Sequence, residues 1–280
     1  MKILIQNYSS PVSSEPMYLN QTFQMTEGIE SMLWSPNSIG VYDVFDRFKP
    51  DVFICHHLGL SQEIVTYLAS NPGIKLAVNI TNISQENLDS IEKLFTENSQ
   101  DGIDCKVMFS NNYDFIQQAK PKTIRYEKIL PCADVYFLNN EVPEYNLDAA
   151  IIASRVNEKM GQAEERFTSY HKMKLGTEKD DNFDMNVNVM MLAALYSRYE
   201  EVVICDSIDI AFSQVFFDAF LKSKKVSIKL PDSDEKFFTM ALSEIFEEEG
   251  DENLLENIKD QIKKNHTCIN RARTLLEAVL

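Results

Sequence analysis

Glycine is scarce in this chain. Eight glycines occur in 280 residues, and none stands in a Gly-x-Gly-x-x-Gly, Gly-x-x-x-x-Gly-Lys-Ser/Thr or Gly-x-Ser-x-Gly pattern. The first two patterns let backbone amides approach phosphate closely, and the third builds the elbow of an α/β hydrolase. Their absence argues against a dinucleotide oxidoreductase, a P-loop nucleotide hydrolase and a conventional serine hydrolase. Cysteine is also sparse. Cys55, Cys105, Cys132, Cys205 and Cys268 form no Cys-x-x-Cys pair, and the four histidines do not join them at ligand spacing, which excludes a zinc cluster of ordinary type. Cys55, Cys105 and Cys205 lie in apolar runs and read as buried free thiols of a reducing compartment.

Long hydrophobic runs and excess positive charge are missing too. No stretch approaches the roughly 18–20 apolar residues of a membrane span, and the apolar part of residues 1–7 is too short for a signal peptide. A cytoplasmic protein without a membrane span is expected. Lys and Arg number 27 against 43 Asp and Glu, a formal net charge of −16. Such a surface repels phosphate backbones and anionic lipid heads. The short basic runs at Lys222, Lys224 and Lys225 and at Lys263 and Lys264 do not offset it, so nucleic acid is not an expected partner.

What is present is a repeating alternation. With 44% hydrophobic residues the chain has ample material for one large domain or two of about 130–150 residues. Apolar runs of strand length at residues 2–6, 51–55, 74–79 and 105–109 alternate with amphipathic stretches at 16–31, 42–48, 61–70 and 84–98. Strands apolar throughout, separated by helices, predict a parallel sheet covered on both faces. Residues 111–131 break the rhythm with Pro121 and Pro131, which places a domain boundary there. Either 134–138 or 149–154 restarts the strands. Helices are predicted over 158–170, 184–199, 234–247 (Phe237, Met240, Ala241 and Leu242 inward), 253–264 and 267–280, the last with Ile269, Ala272, Leu275, Leu276 and Val279 on one side. An acidic turn spans 247–252.

The segment 202–230 is the most informative. Val202–Cys205 reads as a strand ending in Asp206 and Ser207, Ser213 opens a helix that contains Asp218, and 226–230 is a second strand. In a parallel α/β sheet the loop after a strand lies at the carboxyl edge, where ligands bind. The same reasoning marks His56 and His57 after the second long strand, where an imidazole of unperturbed pKa near 6.5 suits a general base; a loop pair bonding nearby backbone is the plainer alternative. Asn79 and Asn82 follow the next strand and are either sugar-hydroxyl ligands or turn formers. Asp206 and Asp209 are ligands or helix-capping acids. Trp34, the sole tryptophan, is a stacking surface or a partly buried anchor. Arg271 and Arg273 read as surface or interdomain pairing cations.

The run Ser213-Gln214-Val215-Phe216-Phe217-Asp218-Ala219 resembles the Ser-x-x-Val-Phe-acid-Ala helix start of the GT-B glycosyltransferase superfamily. It is nearest in pattern to the spore-coat-type glycosyltransferases and the bacteriophage β-glucosyltransferases. His266-Thr267-Cys268-Ile269-Asn270-Arg271-Ala272 is similar to the His-Thr then Arg-Ala of the final helix in the spore-coat-type family. The resemblance implies two Rossmann-like domains with parallel sheets facing a central cleft: 1–125 for the acceptor, 126–265 for the nucleotide sugar, and 266–280 as a helix crossing back to the first. It implies a sugar transferred from a UDP- or GDP-sugar to a hydroxyl acceptor, with no metal firmly required. Asp218 would take the ribose hydroxyls, Arg155 the diphosphate charge, Ser154 and Ser213 would donate to phosphate or sugar, and His56 or His57 would be the base. The place where this superfamily carries glycines reads Ile151-Ile152-Ala153-Ser154-Arg155, so a catalytically inactive scaffold with a binding or assembly role is the alternative.

Overall fold

The first run, Lys2–Gln6, is a strand (β1), and each later apolar run that punctuates the repeat also becomes a strand. A computed structural model describes residues 1–8, 10, 13–80, 85–97, 102–110, 124–136, 147–246 and 254–280. The chain divides into two units, the first made of residues 1–8, 15–130 and 268–280, the second of 9–14 and 131–267. Asn82, the centre of the 111–131 break and the acidic turn 247–252 lie outside the described residues.

In the first unit β1 is followed by α1 (Glu15–Gln24), β2 (Glu30–Trp34), α2 (Val41–Phe48), β3 (Val52–His56), α3 (Gln62–Ser70), β4 (Lys75–Asn79), α4 (Gln85–Glu97), β5 (Cys105–Ser110) and β6 (Tyr126–Lys128). The strands form one sheet in the order β2-β1-β3-β4-β5-β6, and every pairing is parallel. Side chains from Leu4, Phe53, Leu76, Val78 and Met108 on the strands meet Phe45, Ile64, Leu68 and Phe95 on the helices in one core. Burial of this apolar surface, at about 25 cal/mol per Å², is what holds helices to sheet. Ser61 caps α3 by accepting from the Ile64 N–H, as its sequence position demands. The C-terminal helix, Cys268–Val279, also belongs to this unit and packs on α1, β4 and β5.

In the second unit β7 (Leu147–Ala153), α5 (Glu158–Glu164), β8 (Tyr170–Leu175), β9 (Met185–Val187), α6 (Val189–Leu195), β10 (Tyr199–Cys205), α7 (Ile208–Ala211), α8 (Gln214–Lys222), β11 (Val226–Lys229), α9 (Asp232–Ile245) and α10 (Leu254–Asn265) follow in turn. The sheet order is β11-β10-β7-β8-β9, again wholly parallel. Ile152, Val202, Ile204, Val215 and Leu230 anchor its main core.

Four strands escape the sequence pattern. β2 was expected as the tail of a helix over 16–31, but that helix ends at Gln24. β6 falls within the break expected over 111–131, β8 begins where the helix expected over 158–170 ends, in a stretch given no element, and β9 was expected inside the helix 184–199. All four sit at or next to a sheet edge, where side chains are only partly covered. Tyr170-His171-Lys172-Met173-Lys174-Leu175 therefore lacks the continuous apolar run that marks a central strand. Residues 134–136 form no strand, so 147–153 is the restart. On α9, Phe237 and Met240 are exposed rather than inward, while Ala241 is buried; Ile269 on the C-terminal helix is likewise exposed.

All five cysteines are free thiols, four buried and Cys105 half-buried. Burial pushes the Cys105 and Cys205 thiols up to about 12, so neither supplies thiolate at neutral pH. A thiol-reactive chromogen should titrate five groups in denaturant, while in the folded protein Cys55, Cys132, Cys205 and Cys268 stay silent; rapid native labelling of any of these four would contradict their placement.

Candidate functional site

Strand order fixes where ligands bind in an open parallel sheet: at the carboxyl ends of the two adjacent strands from which the connections run in opposite directions. In the second unit those strands are β7 and β10. β7 ends at Ala153 and feeds Ser154 and Arg155; β10 ends at Cys205 and feeds Asp206 and Ser207. A cavity of about 300 Å³ opens here, lined by Arg155, Glu158, Lys159, Asp206, Lys229 and Asp232 among others.

The two loops are tied together. Asp206 accepts from the Ser154 N–H, from the Ser154 hydroxyl at 3.1 Å and from the Ser207 N–H at 2.8 Å. The Asn157 side chain donates to the Cys205 carbonyl at 2.8 Å and accepts from the Met160 N–H, which pins the start of α5 to the end of β10. Lys159 Nζ pairs with Asp232 at 2.7 Å. Arg155 is exposed and lines the cavity, as an anion-binding guanidinium would. Ser154 differs from expectation. Both of its donors are spent on Asp206, so the backbone donors after β7 already hold an anion, and that anion is part of the chain.

Asp218 and Ser213 also differ from expectation. Ser213 is buried and its hydroxyl accepts from the Val215 N–H at 3.2 Å, capping α8. Asp218 is 0% exposed. Its carboxylate accepts from the Asp134 N–H at 2.9 Å and from the Gln214 side-chain amide at 3.2 Å, and Lys222 Nζ lies 3.3 Å away. Gln214 and Asp134 also bind Ser14. Burial, only partly countered by Lys222, pushes the Asp218 carboxyl up to about 6. A carboxylate enclosed and engaged in this way has no open face for a ribose. The helix Gln214-Val215-Phe216-Phe217-Asp218-Ala219 is buried on all sides, and this all-round apolarity was the signal in the sequence that its one acid is internal.

In the first unit the corresponding strand ends are those of β1 and β3. His56 closes β3 and His57 follows it. The His56 ring stacks against Tyr8 at 4.8 Å and against His57 at 4.5 Å. His56 Nδ1 accepts from the Leu58 N–H at 3.3 Å, so its proton sits on Nε2. Burial lowers the His56 pKa, partly offset by the charge of Glu15. His57 is half-buried. Burial and its neighbour His56 lower its pKa to about 4, against a hydrogen bond to the Asn79 backbone. Gln6 donates to the Gly59 carbonyl at 2.9 Å, and a side chain at Gly59 would meet the Gln6 amide at 2.1 Å and push it aside.

Behind the histidines lies a buried polar cluster that the sequence did not reveal. Glu15 accepts from Tyr8 OH at 2.8 Å, from the Asn79 amide, from Tyr18 OH at 3.3 Å and from Arg271. Asn79 thus serves this network instead of facing outward. Arg271, expected at the surface or between domains, is 4% exposed and pairs with Glu15 within the first unit, while Arg273 is exposed. Trp34 is 2% exposed, packs edge-on against Phe45 and donates to the Ile39 carbonyl at 2.9 Å; it is an anchor, not a stacking surface. Asp209 lies exposed in the first turn of α7. No group of three or more metal-ligating side chains occurs among the described residues, and none of their helices is long and apolar enough to cross a membrane.

No family profile matches the sequence, and no curated protein matches it. Solved structures do. SsfS6, a glycosyltransferase of Streptomyces sp. SF2575, aligns over 99% of both chains at a TM-score of 0.50 and 12% identity. The glycosyltransferase SnogD from Streptomyces nogalater aligns over 99% of both chains at 0.50 and 8% identity. The chain therefore has the GT-B glycosyltransferase-like fold, with two wholly parallel α/β sheets. At such identity the likeness speaks for the fold, and the chemistry has to be argued from the residues.

Proposed function

We propose that the chain binds a nucleotide sugar, a UDP- or GDP-sugar, and transfers its sugar to a hydroxyl acceptor. The observation that carries this reading is the cavity at the β7–β10 strand ends, where a ligand site is expected from topology alone and where Arg155 presents an exposed guanidinium. In the transfer the acceptor oxygen forms a bond to the anomeric carbon as the bond from that carbon to the diphosphate oxygen breaks. The electron pair leaves with the diphosphate, and cations beside it stabilise the developing charge. The acceptor's proton goes to a base. His57 suits that role better than His56, because the His56 Nδ1 lone pair is already engaged and His57 is neutral at physiological pH.

Nucleotide sugar at 100 times its dissociation constant should stabilise the protein by about 2.7 kcal/mol, read as a rise in melting temperature. Arg155→Ala should cut the rise to about half or less, since a site tenfold weaker yields about 1.4 kcal/mol at the same concentration. No shift with any UDP- or GDP-sugar would overturn the reading. His57→Ala should leave the shift intact and lower transfer by about 10²–10⁴-fold, the usual worth of a general base. Since the base must be unprotonated and its pKa lies near 4, the wild-type rate should be flat with pH above about 5 and fall below it; an acid limb near 6.5 would instead indicate an unperturbed histidine.

A second reading is favoured by one specific observation: Asp206 fills the donor nest after β7 that a phosphate would use. A binding scaffold without transferase activity is consistent with that. It predicts that acceptor modification is absent even where the nucleotide sugar binds.

A further inference from the structure

The cavity at the β7–β10 strand ends has its charges unevenly committed. Lys159 is paired with Asp232. Asp206 is satisfied by three donors from Ser154 and Ser207. Arg155 and Lys229 both line the space, and neither makes an ion pair with a described residue. They come from different strands: Arg155 follows β7, and Lys229 is the last residue of β11, the edge strand beside β10. Two cations from separate strands of one sheet edge, facing one cavity of about 300 Å³, form a receptor for a group carrying two negative charges.

We propose that Arg155 and Lys229 together hold the phosphoryl groups of this cavity's ligand, and that Asp206 is an internal anion standing in the nest where the loop amides would otherwise take phosphate. This deepens the nucleotide-sugar reading and rests on it for the ligand's identity. The chemistry recognised is a phosphate-ester dianion, shared by a nucleoside diphosphate sugar and a sugar 1-phosphate. Guanidinium binds such oxygens as a planar fork and ammonium as a point charge, so the two are complementary. The arrangement also explains how a chain without glycine after β7 can bind phosphate. The donors that normally need close backbone approach are turned to Asp206, and side-chain cations reach out to the ligand instead. Asp206 has a cost in this scheme, because its charge opposes a second anion nearby.

Calorimetric titration with inorganic pyrophosphate, glucose 1-phosphate and a UDP-sugar tests the proposal on the whole chain. Lys229→Met keeps the apolar stem and removes the charge; it should weaken pyrophosphate at least tenfold, as should Arg155→Met. Asp206→Asn should tighten pyrophosphate several-fold, because one opposing charge is gone, the amide oxygen still accepts from the Ser154 hydroxyl and the Ser207 N–H, and the Ser154 N–H is released to the anion. Pyrophosphate binding by Lys229→Met at wild-type strength would overturn the proposal, and that variant alters only a half-exposed side chain, so its folding is not at issue. Asp206→Asn binding no tighter than the wild type would overturn the role given to Asp206. UDP-sugar binding that ignores all three substitutions would remove the two-cation receptor and leave the nucleotide-sugar reading standing. Pyrophosphate or glucose 1-phosphate bound as described, with no affinity for UDP- or GDP-sugars, would keep the receptor and remove that reading.

Discussion

Arg271→Ala should lower the stability of the fold by about 3–5 kcal/mol, the range found when one partner of a buried ion pair is removed. Arg271 does three jobs at once. Its guanidinium neutralises Glu15, which is 1% exposed; it donates to the Ile129 carbonyl at 2.8 Å and to the Leu130 carbonyl; and it lies over the Phe109 ring at 5.8 Å. Alanine would leave a buried carboxylate with hydroxyl and amide donors only and would free two carbonyls. It would also untie the C-terminal helix from α1, against which it packs. For a chain of this size the loss corresponds to a fall in melting temperature of roughly 10 °C. The double change Glu15→Leu with Arg271→Met should recover much of it, because an apolar pair avoids the desolvation of both charges. A single-variant loss below about 1 kcal/mol, measured by urea unfolding, would contradict the buried placement.

Asp218→Asn should change how stability depends on pH. The folded carboxyl is pushed up to about 6 from an ordinary 3.8. Between those values the folded state holds a proton that the unfolded state has lost, so this group's contribution to stability falls as pH rises from about 4 to 6. The whole effect is about 3 kcal/mol, from about 1.4 kcal/mol for each pH unit. Groups facing Asp218 are Asp134, Lys222, Gln214 and Tyr196; Asp134 opposes its charge and Lys222 supports it. The stability difference, wild type minus variant, should therefore decrease by about 3 kcal/mol from pH 3 to pH 7. A difference that does not vary with pH would mean the carboxyl is not desolvated. The same buried carboxyl opposes ionisation of Tyr196, whose pKa is raised first by burial.

The central strands were legible because a strand covered on both faces has to be apolar along its length. Leu4, Ile54, Val78, Ile152 and Ile204 belong to such runs, and each lies in a strand. Edge strands answer to a weaker constraint, which is why Glu30–Trp34 and Tyr170–Leu175 do not read as strands, each overlapping the end of a stretch that reads as helix. Site residues were legible where topology alone locates them: Ser154, Arg155, Asp206, His56 and His57 all fall at carboxyl strand ends. What each side chain does there was not legible. The pairing of Ser154 with Asp206 spans 52 positions, and that of Glu15 with Arg271 spans 256; no local pattern encodes either. Lys229 was missed although a cation closing an apolar strand was visible in Val226-Ser227-Ile228-Lys229. Asp218 reads as a ribose ligand from a motif likeness, while its apolar neighbours in the sequence mark the buried position it occupies.

The central claim is that the strand ends of β7 and β10 hold the diphosphate of a nucleotide sugar. Its most direct test is a crystal structure of the protein soaked or grown with a UDP-sugar. The account predicts diphosphate density within hydrogen-bond reach of Arg155, beside the loop that carries Asp206. Ordered nucleotide bound elsewhere in the second unit, with Arg155 untouched, would contradict it.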